Sequence, residues 1–267
     1  MNRSRVRSCV CAILFGMVAV AFSAAAPTPD AAAPVPNIAA ASDLQFALAE
    51  IAAGFMRDSG RQVRLVFGSS GNFRRQIAEG APFEMFLSAD EAYVAALAKE
   101  GRTEDGGIRY ATGRIVLFAA AGSKLQPDAA LTDLKAAVAD GRVRHFAIAN
   151  PEHAPYGLAA KQALQAAGVW DALAPHLVLG ENVLQAAQFA TTGGAQGGIV
   201  AYSLARSPAL ADKGTYVLLP AESHAPLHQR MVLVNGAGMT AREFYRYLQQ
   251  PAAREVFARF GFALPGE

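Results

Sequence analysis

From residue 37 onward the chain alternates short β-rich apolar runs with amphipathic helical patterns, and this alternation restricts the fold more than any other feature. The spacing predicts strands over 38–41, 62–67, 83–87, 114–119, 145–149, 177–179, 199–201, 216–219 and 231–234. Between them fall helical patterns. The first carries Leu44, Leu48, Ile51 and Phe55 and stops at Gly60; others cover 73–79, 90–99, 131–138, 157–167 and 183–189. Thr240-x-x-Glu243 reads as a capping box opening a helix with Phe244, Tyr247 and Leu248, and Pro251 starts another helix. Strands alternating with helices of this length imply an α/β fold with mostly parallel sheets. No repeat period emerges, which excludes a solenoid or propeller. A (β/α)8 barrel needs eight regular strand–helix pairs, whereas this chain is irregular and ends in two consecutive helices. Two doubly wound lobes fit better.

The N-terminus belongs to something else. Arg3, Arg5 and Arg7 precede an apolar stretch over 10–22, and small residues follow at 23–26. Charged, apolar, small is the order of a secretory signal peptide, so residues 1–26 are expected to be removed on export to the periplasm. Loss of three arginines takes the formal net charge from +2 to −1. Cys9 and Cys11, the only cysteines, lie inside this leader, so the mature chain has no disulfide. Residues 27–36, rich in proline and alanine, read as a tether. With 17% charged residues and near-neutral balance, a basic nucleic-acid binder is excluded, as is a membrane bundle for want of long apolar runs.

In open α/β sheets ligands bind beyond the carboxyl ends of strands, where helices begin, so four turns hold the functional candidates. The first is Ala41-Ser42-Asp43. Ser42 with Gln45 fits a capping box, but a hydroxyl and free N–H groups there could equally face an oxyanion. The second, Gly68-Ser69-Ser70-Gly71, lies between strand and helix as a tight loop; it is either a simple turn or an anion cradle. The third runs over 150–157 and presents Tyr156, which could serve packing or a ligand. The fourth, at 180–183, offers the Val183 N–H, unless Val183 is there only for the core. None of the four contains Lys or Arg. An anion held here would be balanced by dipoles and hydroxyls, which suits a fully ionised tetrahedral dianion. A protonated phosphate would need an acceptor, and Asp43 is the one carboxylate placed to provide it.

At these residues the chain resembles the periplasmic molybdate-binding proteins, soluble receptors of ABC importers. The fragments that carry the resemblance are AAASD, FGSSGNFRRQIAEGAPFEMFLSAD, NPEHAPYGLAAKQAL, GENVLQA and GGIVAYS. It extends over about 37–265. The family implies a two-lobed type II periplasmic-binding-protein fold with a two-segment hinge, placed near 110–114 and 227–231. Lobe 1 would comprise 37–112 and 230–267, and lobe 2 would comprise 113–229. The resemblance implies that molybdate, and tungstate with it, is bound by Ser42, Ser70, Tyr156 and Val183, with Asp43, Ser69 and Ala201 as further candidates. These would touch the oxygens of the oxyanion and would not ligate the metal directly. Some members add a tyrosine where Ala201 stands; here Tyr202 follows, and Tyr156 is the expected substitute. The implied partner is the membrane permease of the importer. A monomer without cofactor or enzymatic activity is expected.

The rivals are a receptor for sulfate or phosphate, and a secreted serine hydrolase. The hydrolase lacks support: a G-x-S-x-G elbow needs Gly at 72, where Asn72 stands, and His145, His153, His176, His224 and His228 are scattered. His224 and His228 are separated by Pro226, which argues against a helical zinc pair. The glycines at 193–198 precede a strand rather than follow one, unlike a dinucleotide loop.

Overall fold

The computed structural model describes residues 35–266. The leader, both cysteines and most of the tether lie outside the described residues. The chain first builds β1 (Asn37–Ala41), a 3-10 turn (Ser42–Leu44), α1 (Gln45–Ser59), β2 (Arg64–Gly68), α2 (Ser70–Ala78), β3 (Met85–Ser88), α3 (Glu91–Lys99) and β4 (Ile108–Gly113). It crosses at Arg114 and builds β5 (Ile115–Ala120), α4 (Thr132–Ala139), β6 (Phe146–Ala149), α5 (Pro155–Ala166) and α6 (Trp170–Leu173). There follow β7 (Leu177–Gly180), α7 (Val183–Thr191), β8 (Gly197–Ala201), α8 (Tyr202–Ala205) and β9 (Gly214–Leu218). The chain then returns through β10 (Leu227–Leu233), α9 (Met239–Tyr247) and α10 (Pro251–Arg259).

Two five-stranded sheets result, ordered β2-β1-β3-β10-β4 and β7-β6-β8-β5-β9. This is the expected two-lobed α/β architecture with mostly parallel sheets: in each, four strands run one way and a single strand, β10 in the first and β5 in the second, runs against them. Strands β2-β1-β3 and β7-β6-β8 run parallel, while every pairing made by β10 or β5 is antiparallel. The cause is the double crossing. One strand leads the chain out of a sheet and its neighbour leads it back, so the two run opposite ways. The two sheets are built on one plan, with β1 and β2 in the first placed like β6 and β7 in the second.

The inner strands β1, β3, β6 and β8 are short, buried and almost wholly apolar because helices cover both faces. In β1, Ile38 and Ala40 pack with Leu44, Leu48, Phe55 and Phe244 on one side, while Ala39 packs with Phe73, Ile77 and Phe86 on the other. The second lobe has a separate core around Phe118, Phe146 and Ile148. Strand β4 was not evident in the sequence, where 110–114 reads as a crossing segment; it becomes a strand by pairing with β10.

The capping box at Thr240 does not form. The helix begins two residues earlier than the box implies, at Met239 after Gly238, with no side-chain cap. Both box residues serve Arg61 instead: Nη1 donates to the Thr240 hydroxyl at 3.3 Å, and Nε pairs with Glu243 at 3.0 Å. A partner brought from the end of α1 outcompetes the local cap. The Phe244 ring is fully buried and stands edge-to-face with Phe55 at 5.2 Å. Phe244→Ala is expected to lower the unfolding free energy by about 3–5 kcal/mol, read by urea denaturation.

Candidate functional site

All four turns singled out in the sequence lie at the carboxyl ends of equivalent strands. Ser42 follows β1, Ser70 follows β2, Tyr156 lies beyond β6, and Val183 lies beyond β7. The lobes face each other so that these turns line one small cavity. Ser42, Asp43, Ser69, Ser70, Tyr156 and Val183 all border it. Among the described residues its wall contains no Lys, Arg or His, and Asp43 is its only carboxylate. Ala201 ends β8 opposite Ile115, fully buried and away from the cavity wall. Tyr202 begins α8 and turns its ring to Tyr216 and Arg206. Among the described residues no three His, Cys, Asp or Glu side chains gather to hold a metal ion.

The donors can be counted. A helix leaves its first N–H groups without internal acceptors. In α7, the Leu184 N–H donates to the Ser42 hydroxyl at 3.3 Å and the Gln185 N–H to Asn182 Oδ1 at 3.1 Å. Val183 alone is left without an acceptor among the described residues. In α2, the Gly71 N–H donates to the His153 carbonyl at 3.0 Å, and the Asn72 N–H to the Ser69 hydroxyl. Ser70 is left. In α5, Pro155 has no N–H, the Gly157 N–H returns to Ala154, and Tyr156 is left. Each helix end thus keeps one unspent N–H on the cavity.

The hydroxyls follow the same logic. Ser42 Oγ accepts from Leu184, and Ser70 Oγ accepts from the Ala89 N–H at 2.9 Å. A hydroxyl whose oxygen already accepts still has its proton to give. Neither proton has an acceptor among the described residues. Ser42 is therefore not the local cap its spacing with Gln45 predicts; its oxygen serves a helix of the other lobe. The Gly68–Gly71 segment also differs from a tight loop: α2 begins at Ser70, with Ser69 as its cap.

Asp43 is almost completely buried, and its Oδ2 accepts from the Gln229 amide at 2.6 Å and the Tyr156 phenol at 2.9 Å. Gln229 Oε1 in turn accepts from the Tyr110 phenol at 2.6 Å. Burial raises the Asp43 pKa to about 6, although the bonds from Gln229, Tyr156 and its own backbone pull it down. Burial, then the Asp43 charge, hold the Tyr156 phenol well above its ordinary value. The phenol proton of Tyr156 is thus spent on Asp43, leaving its N–H for the cavity.

The network joins both lobes to the crossing strands β4 and β10. Its inner members, Tyr110 and Gln229, were missed in the sequence. The available signal was Gln229 itself, a polar residue in phase with the buried Leu227 and Met231. His153, which the sequence leaves among scattered loop histidines, joins the lobes: its Nδ1 lies 3.0 Å from Ser69 Oγ. Asn72 Nδ2 donates to Glu181 at 3.1 Å, and the Ser203 hydroxyl to the Asp43 carbonyl at 2.8 Å. Two glycines permit this approach. A Cβ on Gly71 would stand 2.5 Å from the His153 carbonyl oxygen, and one on Gly113 would stand 2.2 Å from the Tyr156 hydroxyl.

Comparison with known proteins agrees with this geometry. Residues 36–263 match the family model of bacterial extracellular solute-binding proteins. The molybdate-binding protein ModA of Rhodobacter capsulatus is 38% identical over 80% of this chain and 82% of its own length. ModA of Azotobacter vinelandii is 35% identical over 84% of this chain and 88% of its own. The structure of the Azotobacter vinelandii periplasmic molybdate-binding protein superposes with a TM-score of 0.77 at 30% identity, over 86% of this chain and 99% of that one. The chain belongs to the bacterial extracellular solute-binding proteins, in the family of the molybdate-binding protein ModA, and is a transport receptor rather than an enzyme.

Proposed function

We propose that this protein captures molybdate, and tungstate with it, between its lobes and delivers the anion to the membrane permease of an ABC importer. The observation that carries the reading is the donor count: unspent N–H groups at Ser70, Tyr156 and Val183, and unspent hydroxyl protons at Ser42 and Ser70, meet at one cavity without a cation. Donors on helix ends stabilise a dianion through aligned dipoles. Molybdate is the cargo, so the reading requires no resident cofactor. Asp43 and Ser69 complete the wall, whereas the place of Ala201 supports no contact. Export by the leader at 1–26 would put a monomeric receptor in the periplasm.

The lobes in this reading comprise 37–112 with 230–267, and 113–229. Sheet membership supports the division except at its seams, where Gly113 and 227–229 pair within the first sheet, so the two hinge segments lie largely within β4 and β10. Hinge bending there would open the cleft to load the anion, and the permease would recognise the closed form.

A second reading rests on Asp43, whose Oδ1 has no partner. A carboxylate acceptor would favour a proton-bearing oxyanion such as hydrogen phosphate, while sulfate shares the charge and shape of molybdate.

Competition calorimetry with molybdate, tungstate, sulfate and phosphate separates these. Tight molybdate and tungstate binding with weak sulfate and phosphate is expected; equal or tighter sulfate or phosphate binding would overturn the assignment. Ser42→Ala and Ser70→Ala should each weaken molybdate binding by about 1–3 kcal/mol, the loss of a charge-assisted donor. Unchanged affinity in both would refute the site. Gly71→Ala should fold yet bind more weakly, because its methyl group holds His153 away. Small-angle scattering with saturating molybdate should show it more open than the wild type.

A further inference from the structure

Among the described residues Asp43 is the sole carboxylate on the cavity wall, and an ionised carboxylate there works against a dianion. Its two oxygens are unequal. Oδ2 accepts from both Gln229 and Tyr156, whereas Oδ1 is buried and has no partner. Both neighbours donate to Oδ2, so in the neutral acid that oxygen would be the carbonyl and Oδ1 would carry the proton. A buried O–H needs an acceptor, and the protein offers none among the described residues; an oxyanion in the cavity would supply one.

Resting on the reading that the cargo is a fully ionised oxyanion, we infer that Asp43 binds it as the neutral acid, with Oδ1–H donating to the ligand. Binding is then coupled to uptake of one proton from solvent by the Asp43 carboxylate. The burial that raises its pKa to about 6 already favours the acid, and a dianion alongside favours it further.

Among the described residues no cation donates to Asp43. Of the titratable groups around it, the Tyr110 and Tyr156 phenols belong to its network and stay neutral. On the second lobe, His153 meets Ser69, Glu181 accepts from Asn72, and Arg206 stacks on Tyr202. By the crossing strands, Arg114 donates to the Leu219 carbonyl, His228 meets Thr112, and Arg230 pairs with Glu91. On α1, Glu50 pairs with Arg259.

The test is calorimetry with sodium molybdate on the purified, ligand-free protein at about pH 6 to 8.5, in buffers of different ionisation enthalpy. Molybdate remains a dianion across this range, so any proton counted enters the protein. The wild type should take up close to one proton per molybdate at about pH 8. Its affinity should fall about tenfold for each pH unit above about 6. Asp43→Asn reproduces the neutral acid, with an acceptor for Gln229 and Tyr156 and an N–H donor for the ligand. It should show no uptake and a flat affinity, and at about pH 8 it should bind about a hundredfold tighter than wild type. Wild-type binding without proton uptake would overturn the inference and leave molybdate transport standing, as would uptake that persists in Asp43→Asn. Absence of molybdate binding in both proteins at every pH would instead remove the proposed cargo.

Discussion

The proposed site rests on one constraint: a buried dianion would have to be satisfied by groups that carry no formal charge. Such an anion can be held only if several N–H and O–H donors converge on it with no competing acceptor. The three helix ends meet this condition by spending their other N–H groups elsewhere. Leu184 spends its own on Ser42, Gly71 on His153, and Asn72 on Ser69. What is left points to one place. The shared plan of the two sheets makes this possible, because equivalent strands in each deliver helix ends to the same cleft.

The groups that organise the donors also hold the lobes together. The bond from Leu184 to Ser42 and that from Gly71 to His153 each cross the cleft, so a donor set complete enough for an anion exists only when the lobes are closed. The network from Tyr110 through Gln229 and Asp43 to Tyr156 carries this constraint into the crossing strands. Gly113 lies against the Tyr156 hydroxyl, where any side chain would collide. Closure and ligand contact are thus one arrangement.

Much of this was legible in the sequence, for identifiable reasons. Runs such as residues 38–41 announce strands covered on both faces, and the turns after them mark where ligands bind whatever the detailed packing. The misreadings have a common origin in partners distant in sequence. Ser42 and Thr240 both sit in capping-box spacing, yet Leu184 and Arg61 claim their hydroxyls. Gly71 reads as a residue chosen for a turn, but its helical backbone shows that it is needed for the approach of His153. Tyr110 and Gln229 lie in crossing segments whose pairing no local pattern announces. The one reversed strand of each sheet was hidden for the same reason.

The central claim is that the oxyanion sits where the unspent donors of four turns meet, without a cation. A crystal structure of the protein with molybdate, phased at the molybdenum absorption edge, tests it most directly. The account predicts a single molybdenum peak in the cleft, its oxygens within hydrogen-bond distance of the Ser42 and Ser70 hydroxyls and of the Tyr156 and Val183 N–H groups. A peak beside a Lys or Arg side chain, or outside the cleft between the lobes, would contradict it.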